Sequence, residues 1–123
     1  MKKDLGLYIH IPFCIKKCAY CDFLSWSGDK DQKEEYVRDL EQEIRSYKTF
    51  AADYQVSTVY FGGGTPSILE TGQIERIMGA LRQTFRIEKK AEITLEMNPG
   101  TARKEKLKAF RQLGINRLSI GSQ

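Results

Sequence analysis

The sequence contains no long apolar run, and this absence excludes one class of protein. A membrane-spanning helix needs about 20 consecutive apolar residues, whereas the hydrophobic stretches of this chain are only a few residues long. The N-terminal residues Met1-Lys2-Lys3-Asp4 lead into an alternating pattern instead of the apolar core of a signal sequence. We therefore expect a cytoplasmic protein with no transmembrane segment.

The chain also lacks clustered charge of one sign. Its 123 residues include 20 Lys and Arg against 16 Asp and Glu, which gives a net charge of +4. The basic residues are spread along the chain, and no block of five like charges occurs. Because a nucleic-acid-binding surface needs basic residues concentrated on one face, nucleic acid is not an expected partner. The 41% hydrophobic content instead indicates one globular domain, or part of one.

Cysteine is scarce, but its three residues, Cys14, Cys18 and Cys21, lie within eight positions. An odd number in so short a span is a poor disulfide framework, so the thiolates point to a metal or a cluster. A four-iron cluster normally takes four thiolates, and three would leave one iron with an open coordination position. Two alternatives remain: a zinc ion bound by the three cysteines and His10, and inert reduced cysteines in a core.

Strands and helices alternate along the chain. The predicted strands span residues 5–11, 56–61, 91–97 and 115–121. The predicted helices span residues 31–50, residues 73–86 with Thr71 as a candidate N-cap, and the segment from the N-cap Thr101 through Leu113 with Gly114 as its stop. Such strand–helix–strand repetition predicts a parallel sheet.

The strands have one apolar and one polar face, which separates two parallel architectures. Central strands of a doubly wound sheet are apolar nearly throughout, whereas a barrel can hold a polar ligand inside. We therefore predict an α/β fold that forms the N-terminal half of a TIM-type (β/α) barrel with parallel strands. The alternation places five residues on its inner face, mostly near the C-terminal strand ends where such barrels have their active sites: Tyr8, His10, Gly62, Glu96 and Gln123.

A glycine loop, Gly62-Gly63-Gly64-Thr65-Pro66, follows the second predicted strand. It lacks the G-K-[ST] ending of a phosphate-binding P-loop, and Ser67 occupies the third glycine position of a G-x-G-x-x-G pattern. Consecutive glycines let a backbone approach a ligand closely and present amides or carbonyls to it. Taken alone, the loop is a weak signal, and a simple turn is the alternative interpretation.

These motifs resemble a known family. Cys14-x-x-x-Cys18-x-Tyr20-Cys21 after a first barrel strand is similar to the signature of radical S-adenosylmethionine (SAM) proteins, and the glycine loop extends the resemblance. Four longer segments, residues 8–14, 61–66, 96–99 and 119–123, resemble the oxygen-independent coproporphyrinogen III oxidase-like family. Because a full barrel needs about 250 residues, we expect residues 1–123 to be the N-terminal part of a radical SAM core domain, truncated after its fourth strand.

The resemblance implies a role for each matching residue. Cys14, Cys18 and Cys21 would hold a [4Fe–4S] cluster, and SAM would chelate the fourth iron. The cluster would donate an electron and cleave SAM to methionine and a 5′-deoxyadenosyl radical. The resemblance assigns no catalytic residue beyond the cluster, and it implies SAM contacts at Tyr8, Tyr20, Gly63, Gly64, Thr65, Glu96 and Gln123.

One position departs from the oxidase pattern. The oxidase carries a fourth cysteine two residues beyond the third, where this sequence has Phe23. The departure favours the HemW-type branch, whose members are regarded as haem chaperones that bind haem and pass it to respiratory acceptors. The implied partners are then haem, a haem-acceptor protein and an electron donor. The alternative is an oxidase that acts on a porphyrinogen in haem biosynthesis. A zinc-binding structural module is a more distant alternative. Whether the protein is an enzyme stays open.

Overall fold

The computed structural model describes residues 2–14, 30–101 and 103–120. Two short 3-10 turns, Pro66–Ile68 and Pro99–Thr101, follow the second and third strands. The strands and α-helices are β1 (Lys3–Ile11), α1 (Lys30–Ser46), α2 (Lys48–Ala51), β2 (Tyr54–Gly63), α3 (Thr71–Thr84), β3 (Arg86–Met97), α4 (Lys104–Gln112) and β4 (Arg117–Ile120). Among the described residues, none of the helices has the length and apolar character needed to cross a membrane.

The four strands form one parallel sheet in the order β1-β2-β3-β4. Each strand therefore pairs with the next strand along the chain, without the reversal of order that defines a doubly wound sheet. Helix α3 packs against both α1 and α4, so that the helices form one layer. Sequential parallel strands under a single helical layer confirm the predicted architecture, a part of a (β/α) barrel.

The hydrophobic core lies between the sheet and the helices. The alternating apolar residues predicted for β1 and β3 are on the helix-facing side, and the predicted apolar stripe of α3 packs against them. Full burial of one such side chain contributes about 1.5–3 kcal/mol to folding. The main buried residues are Ile9, Ile11, Val59, Phe61, Ile74, Ile77, Met78, Leu81, Ile93, Leu95 and Phe110.

The helix predicted over residues 31–50 is two helices, which corrects that prediction. Tyr47 leaves the helical conformation, with φ −90° and ψ 10°, and separates α1 from α2. The hydroxyl of Ser46 donates a hydrogen bond to the carbonyl oxygen of Glu43 at 2.6 Å, and such local bonds compete with helix continuation. After the break, the ring of Phe50 stacks on Tyr54 at 4.6 Å between centroids, which joins α2 to the start of β2.

The N-cap prediction for α3 was wrong by one residue. Thr71 is the first residue of the helix, and Glu70 is its N-cap. The Glu70 side chain accepts from the backbone N–H of Gln73, and the Gln73 side chain accepts from the backbone N–H of Glu70 at 3.0 Å. This reciprocal pair is a capping box, with a glutamate in the place that a shorter side chain usually takes.

The segment around α4 also differs from its predicted boundaries. Thr101 does not cap the helix, because it ends a 3-10 turn and Arg103 is the N-cap residue. Gly114 ends the helix as predicted, with φ +106°, a left-handed conformation that favours glycine. Strand β3 starts at Arg86, five residues earlier than predicted, and β4 starts at Arg117 instead of residue 115.

An ion-pair network joins α1 to α3. The Nη1 atom of Arg76 lies 2.8 and 2.7 Å from the two carboxylate oxygens of Glu34. The Nη2 atom of Arg76 lies 2.6 Å from Glu41, and its Nε atom donates to the same oxygen at 3.0 Å. One guanidinium therefore bridges two carboxylates of the neighbouring helix with the planar, multidentate geometry that suits arginine.

This network predicts a pH-dependent contribution to stability. The hydrogen bonds from Arg76 lower the pKa of Glu34 below its ordinary value of 4.5. A carboxyl group with a lowered pKa stabilises the fold above its unfolded-state pKa, and this contribution is lost as the pH falls through the folded-state value. We expect Arg76→Met to lower the urea midpoint of unfolding of the full-length protein at pH 7. At pH 3, the urea midpoints of the variant and the native protein are expected to differ less than at pH 7. Arg111→Met, at an exposed position of α4, is the control, and a difference that stays constant with pH would contradict the expectation.

Candidate functional site

Cys14 stands on a buried support at the end of β1. The preceding residue, Phe13, is fully buried, and its ring contacts Tyr36 of α1 edge-on with centroids 5.5 Å apart. The hydroxyl of Tyr36 donates a hydrogen bond to the backbone carbonyl of His10, so that α1 holds the C-terminal end of β1. Cys14 is half-buried directly after this support.

The glycine loop lies against this cysteine. The amide of Gly64 donates to the carbonyl oxygen of Ile11 at 2.8 Å, and the amide of Thr65 donates to the carbonyl oxygen of Phe13 at 2.6 Å. A Cβ atom at position 64 would lie 2.5 Å from the Phe13 oxygen and 3.0 Å from the Sγ atom of Cys14. Only glycine therefore lets the loop backbone come this close to the thiol.

Gly63 connects the same loop to β3. It has φ +118°, a conformation that L side chains rarely adopt, and its amide donates to the Oε1 atom of Glu96 at 3.1 Å. The loop is thus bonded to the end of β1 through the Gly64 amide, to Phe13 just after β1 through the Thr65 amide, and to β3 through the Gly63 amide. The carboxyl ends of three neighbouring strands meet at one edge, as the inner-face prediction required.

Two tyrosines complete the surface beside Glu96. The hydroxyl of Tyr60 donates to the Oε2 atom of Glu96 at 2.8 Å, and its ring stacks on Tyr8 with centroids 6.0 Å apart and planes 14° apart. Gly62 makes room for both rings, because a Cβ atom there would lie 2.8 Å from the Tyr8 hydroxyl and 2.9 Å from Tyr60 Cε1. Tyr8 is 59% exposed, which leaves an open aromatic surface next to the carboxylate.

The electrostatics of this face are dominated by Glu96. Its hydrogen bond with Tyr60 is the main reason that the pKa of Tyr60 is raised above its ordinary value of 10.0. Partial burial, and after it the negative charge of Glu96, raise the pKa of Tyr8 above the same value. Both phenols are therefore protonated at neutral pH. The face offers one carboxylate and an aromatic surface, a combination that suits a cationic ligand.

The far end of the glycine loop is anchored by α4. Ser67 is fully buried, its hydroxyl oxygen accepts from the Asn98 amide at 3.2 Å, and its carbonyl oxygen accepts from the Nζ atom of Lys106 at 2.6 Å. Burial lowers the pKa of Lys106. These bonds connect the loop after β2 to the turn after β3, so that the position of the loop is fixed on both sides.

The structure brings together six of the predicted site residues: Tyr8, Cys14, Gly63, Gly64, Thr65 and Glu96. It also places His10 and Gly62 on the same inner face, as the alternation predicted. The other predicted residues, Cys18, Tyr20, Cys21 and Gln123, lie outside the described residues, as does Phe23. Their roles stay predictions.

Tyr60 was not among the site residues predicted from the sequence. The signal was present, because Tyr60 lies two residues before Gly62 in β2, and residues two apart in a strand point to the same face. Lys106 was not predicted either, because its contact with the loop comes from the packing of α4 and leaves no trace in the motif pattern.

A parallel sheet of sequential strands that carries a cysteine, a glycine loop and a carboxylate at its carboxyl edge defines a cofactor-binding domain of the (β/α) barrel class. Comparison with known families makes the assignment specific: the model of the radical SAM superfamily matches residues 8–123. The chain belongs to this superfamily.

Relatives that are 38% to 41% identical to the chain carry two different names. The chain is 38% identical over 124 residues to "Heme chaperone HemW" of Buchnera aphidicola, and 38% identical over 120 residues to the protein of the same name of Escherichia coli. It is 41% identical over 123 residues to "Oxygen-independent coproporphyrinogen III oxidase" of Salmonella typhimurium. These alignments cover 97%, 97% and 99% of this chain but 32%, 32% and 27% of the relatives. The chain therefore spans about a third of the length of the HemW proteins that it matches.

A solved structure supports the same family. The coproporphyrinogen III oxidase HemN from Escherichia coli, described as a radical SAM enzyme, superimposes with a TM-score of 0.90 at 39% sequence identity. The match covers 99% of this chain and 28% of the oxidase chain. The strand order and the helical layer described above are thus those of one part of a radical SAM fold.

The superfamily implies a [4Fe–4S] cluster and SAM, and the described residues fit both. Cys14 presents a half-buried thiol at the strand end, and the space that a Cβ atom of residue 64 would fill lies beside its sulfur atom. The carboxylate of Glu96 lies at the same edge and is bonded to the neighbouring glycine. A thiolate donor and a carboxylate at the same edge of the sheet suit an iron site with a cationic ligand.

Proposed function

We propose that Cys14, Cys18 and Cys21 hold a [4Fe–4S] cluster, and that SAM binds between this cluster and the glycine loop. The observation that carries the proposal is the approach of the Gly64 backbone to the Sγ atom of Cys14 at the edge where Glu96 lies. When bound, the cluster supplies the electron for reductive cleavage of SAM. Residues 1–123 then form the N-terminal part of a radical SAM core domain, which we place in the cytoplasm.

In this proposal the chain's own residues orient the ligand. The amides of Gly63, Gly64 and Thr65 are all bonded within the protein, so we expect the loop to meet SAM through its carbonyl oxygens. Carbonyl oxygens accept hydrogen bonds from an amino group, and the carboxylate of Glu96 adds the negative charge that an ammonium and a sulfonium favour. The exposed ring of Tyr8 offers a face to the same cation. Tyr20 and Gln123 are assigned to further SAM contacts.

For the full-length protein we favour the role of a HemW-type haem chaperone. Phe23 stands where the oxidase pattern has its fourth cysteine, and relatives named as haem chaperones match almost the whole chain. The role requires haem as cargo, a haem-acceptor protein and an electron donor for the cluster.

The second candidate is an oxygen-independent coproporphyrinogen III oxidase. It is supported by the 41% identity to the Salmonella typhimurium oxidase and by the TM-score of 0.90 to the Escherichia coli enzyme. Both candidates use the same cluster and SAM site, and the sequence difference between them is at Phe23.

Two assays on the anaerobically reconstituted full-length protein separate the candidates. A haem chaperone is expected to bind haem stoichiometrically, measured as a shifted haem absorption band, and to leave coproporphyrinogen III unchanged in the presence of SAM and a reductant. Conversion of coproporphyrinogen III under these conditions, followed by chromatography of the products, would establish the oxidase. Absence of both haem binding and conversion would reject both roles.

A further inference from the structure

We propose that Tyr60 is a positioning residue for SAM that acts through Glu96. Its hydroxyl holds one carboxylate oxygen in place, so that the rest of the carboxylate is directed to the amino group of SAM. The inference rests on the proposed function, because it takes Glu96 as a SAM contact. It concerns a residue that neither the motifs nor the resemblance singles out.

The carboxylate of Glu96 is held at both oxygens from β2. The Tyr60 hydroxyl donates to Oε2 at 2.8 Å, and the Gly63 amide donates to Oε1 at 3.1 Å. Two donors on different oxygens fix both the position and the plane of the group. An ionised carboxylate has about four acceptor sites, so that two remain for a ligand.

Tyr60 is itself fixed on several sides. In the sheet it pairs with Tyr8 of β1 and with Thr94 of β3, and the Tyr8 ring stacks on its ring. Contacts to Tyr8 of β1 and Glu96 of β3 leave the phenol little freedom, and a donor that orients another side chain must itself be held in place.

The charge of the carboxylate strengthens its hydrogen bond with the phenol. Tyr60 and Glu96 are both partly buried, and Thr94, which lies beside Tyr60 in the sheet, is only 2% exposed. A hydrogen bond to a charged acceptor is stronger than a neutral one. Its removal without a substitute would leave Glu96 with one donor and freedom to rotate away from the ligand.

The test uses the anaerobically reconstituted full-length protein and two ligands. Tyr60→Phe retains the ring and removes only the hydroxyl, and we expect SAM binding to weaken roughly tenfold, the scale of one charge-assisted hydrogen bond. 5′-Methylthioadenosine lacks the amino and carboxylate groups of SAM, so its affinity is expected to be unchanged. Equilibrium dialysis measures both affinities, and the iron content per chain is expected to equal that of the native protein.

Tyr54→Phe is the matched control. Tyr54 lies in the same strand, but at its opposite end, where it stacks on Phe50. The variant makes the same chemical change away from Glu96, and its affinity for SAM is expected to be that of the native protein.

Glu96→Gln separates failure of the inference from failure of the proposed function. If Glu96→Gln leaves SAM affinity unchanged, the assignment of Glu96 as a SAM contact is wrong, and the inference fails with it. If Glu96→Gln weakens SAM binding while Tyr60→Phe does not, the inference alone is overturned. Equal weakening of SAM and methylthioadenosine in Tyr60→Phe would also overturn it, because a general distortion of the site would explain that result.

Discussion

Replacement of Cys14 by alanine is expected to abolish the iron–sulfur cluster of the full-length protein. The proposed site has only three thiolates, and one iron already relies on SAM, so that loss of one anchor leaves too few protein ligands to retain the cluster. The brown absorbance should disappear, and iron and sulfide per chain should fall to near zero after anaerobic reconstitution. The same result is expected for Cys18→Ala.

His10→Ala is the control for this prediction, because the zinc alternative uses His10 as the fourth ligand. A cluster held by three cysteines should keep its full iron and sulfide content in this variant. A zinc module would instead contain zinc without iron or sulfide in the native protein. It would lose zinc in Cys14→Ala and in His10→Ala. Metal and sulfide analysis therefore decides between the two kinds of site.

Gly64→Ala is expected to have the second largest effect. The added Cβ atom would lie 2.5 Å from the carbonyl oxygen of Phe13 and 3.0 Å from the Sγ atom of Cys14. Because the first of these is a backbone atom next to a fully buried ring, the loop must move away from the cysteine. We expect a loss of stability of about 1–3 kcal/mol, as for other overpacked sites, together with loss of SAM binding and of most of the iron.

Gly79→Ala makes the same change where there is room for it. Gly79 lies within α3, and a Cβ atom there would meet nothing within 4 Å. Alanine is favoured over glycine in a helix by about 1 kcal/mol, so this variant should be slightly more stable and keep its iron. Urea unfolding and iron analysis of both variants make the comparison. Native iron content and native SAM affinity in Gly64→Ala would contradict the proposed binding of SAM between the cluster and the glycine loop.

The sheet and its inner face could be predicted because they depend on a repeating pattern. Alternation in β1 and β3 separated the buried residues, such as Ile9 and Leu95, from the inner residues Tyr8 and Glu96. The periodicity is set by strand geometry alone. It therefore required no knowledge of which elements pack together.

Two of the mispredicted helix boundaries depend on single local bonds. The break at Tyr47, after α1, goes with a Ser46 hydroxyl bond, and the start of α3 follows from the side chain of Glu70 rather than Thr71. Neither choice changes the hydrophobic pattern, so the pattern could not reveal it. Helix ends are set by competition among hydrogen bonds that differ little in free energy.

The separate roles of the three glycines could not be predicted either. The sequence showed that a backbone could come close to something at Gly62-Gly63-Gly64, but not what it approached. The structure gives each a different neighbour: the tyrosine rings at Gly62, the Glu96 carboxylate at Gly63, and the Phe13–Cys14 backbone and thiol at Gly64. Apart from Tyr60, these neighbours lie in β1, just after β1 or in β3, and only the three-dimensional arrangement brings them to the loop.

The attachment of the glycine loop to the strands on either side has a consequence for the kinetics of ligand capture. Because the amides of Gly63, Gly64 and Thr65 already have hydrogen-bond partners within the protein, the conformational entropy of this segment is lost when the polypeptide folds and not when a small molecule arrives. Association at this segment then requires no ordering step. The association rate should depend on the access of the ligand to the loop and on the charges of the ligand and the site. It should vary little with the length of the segments elsewhere in the protein.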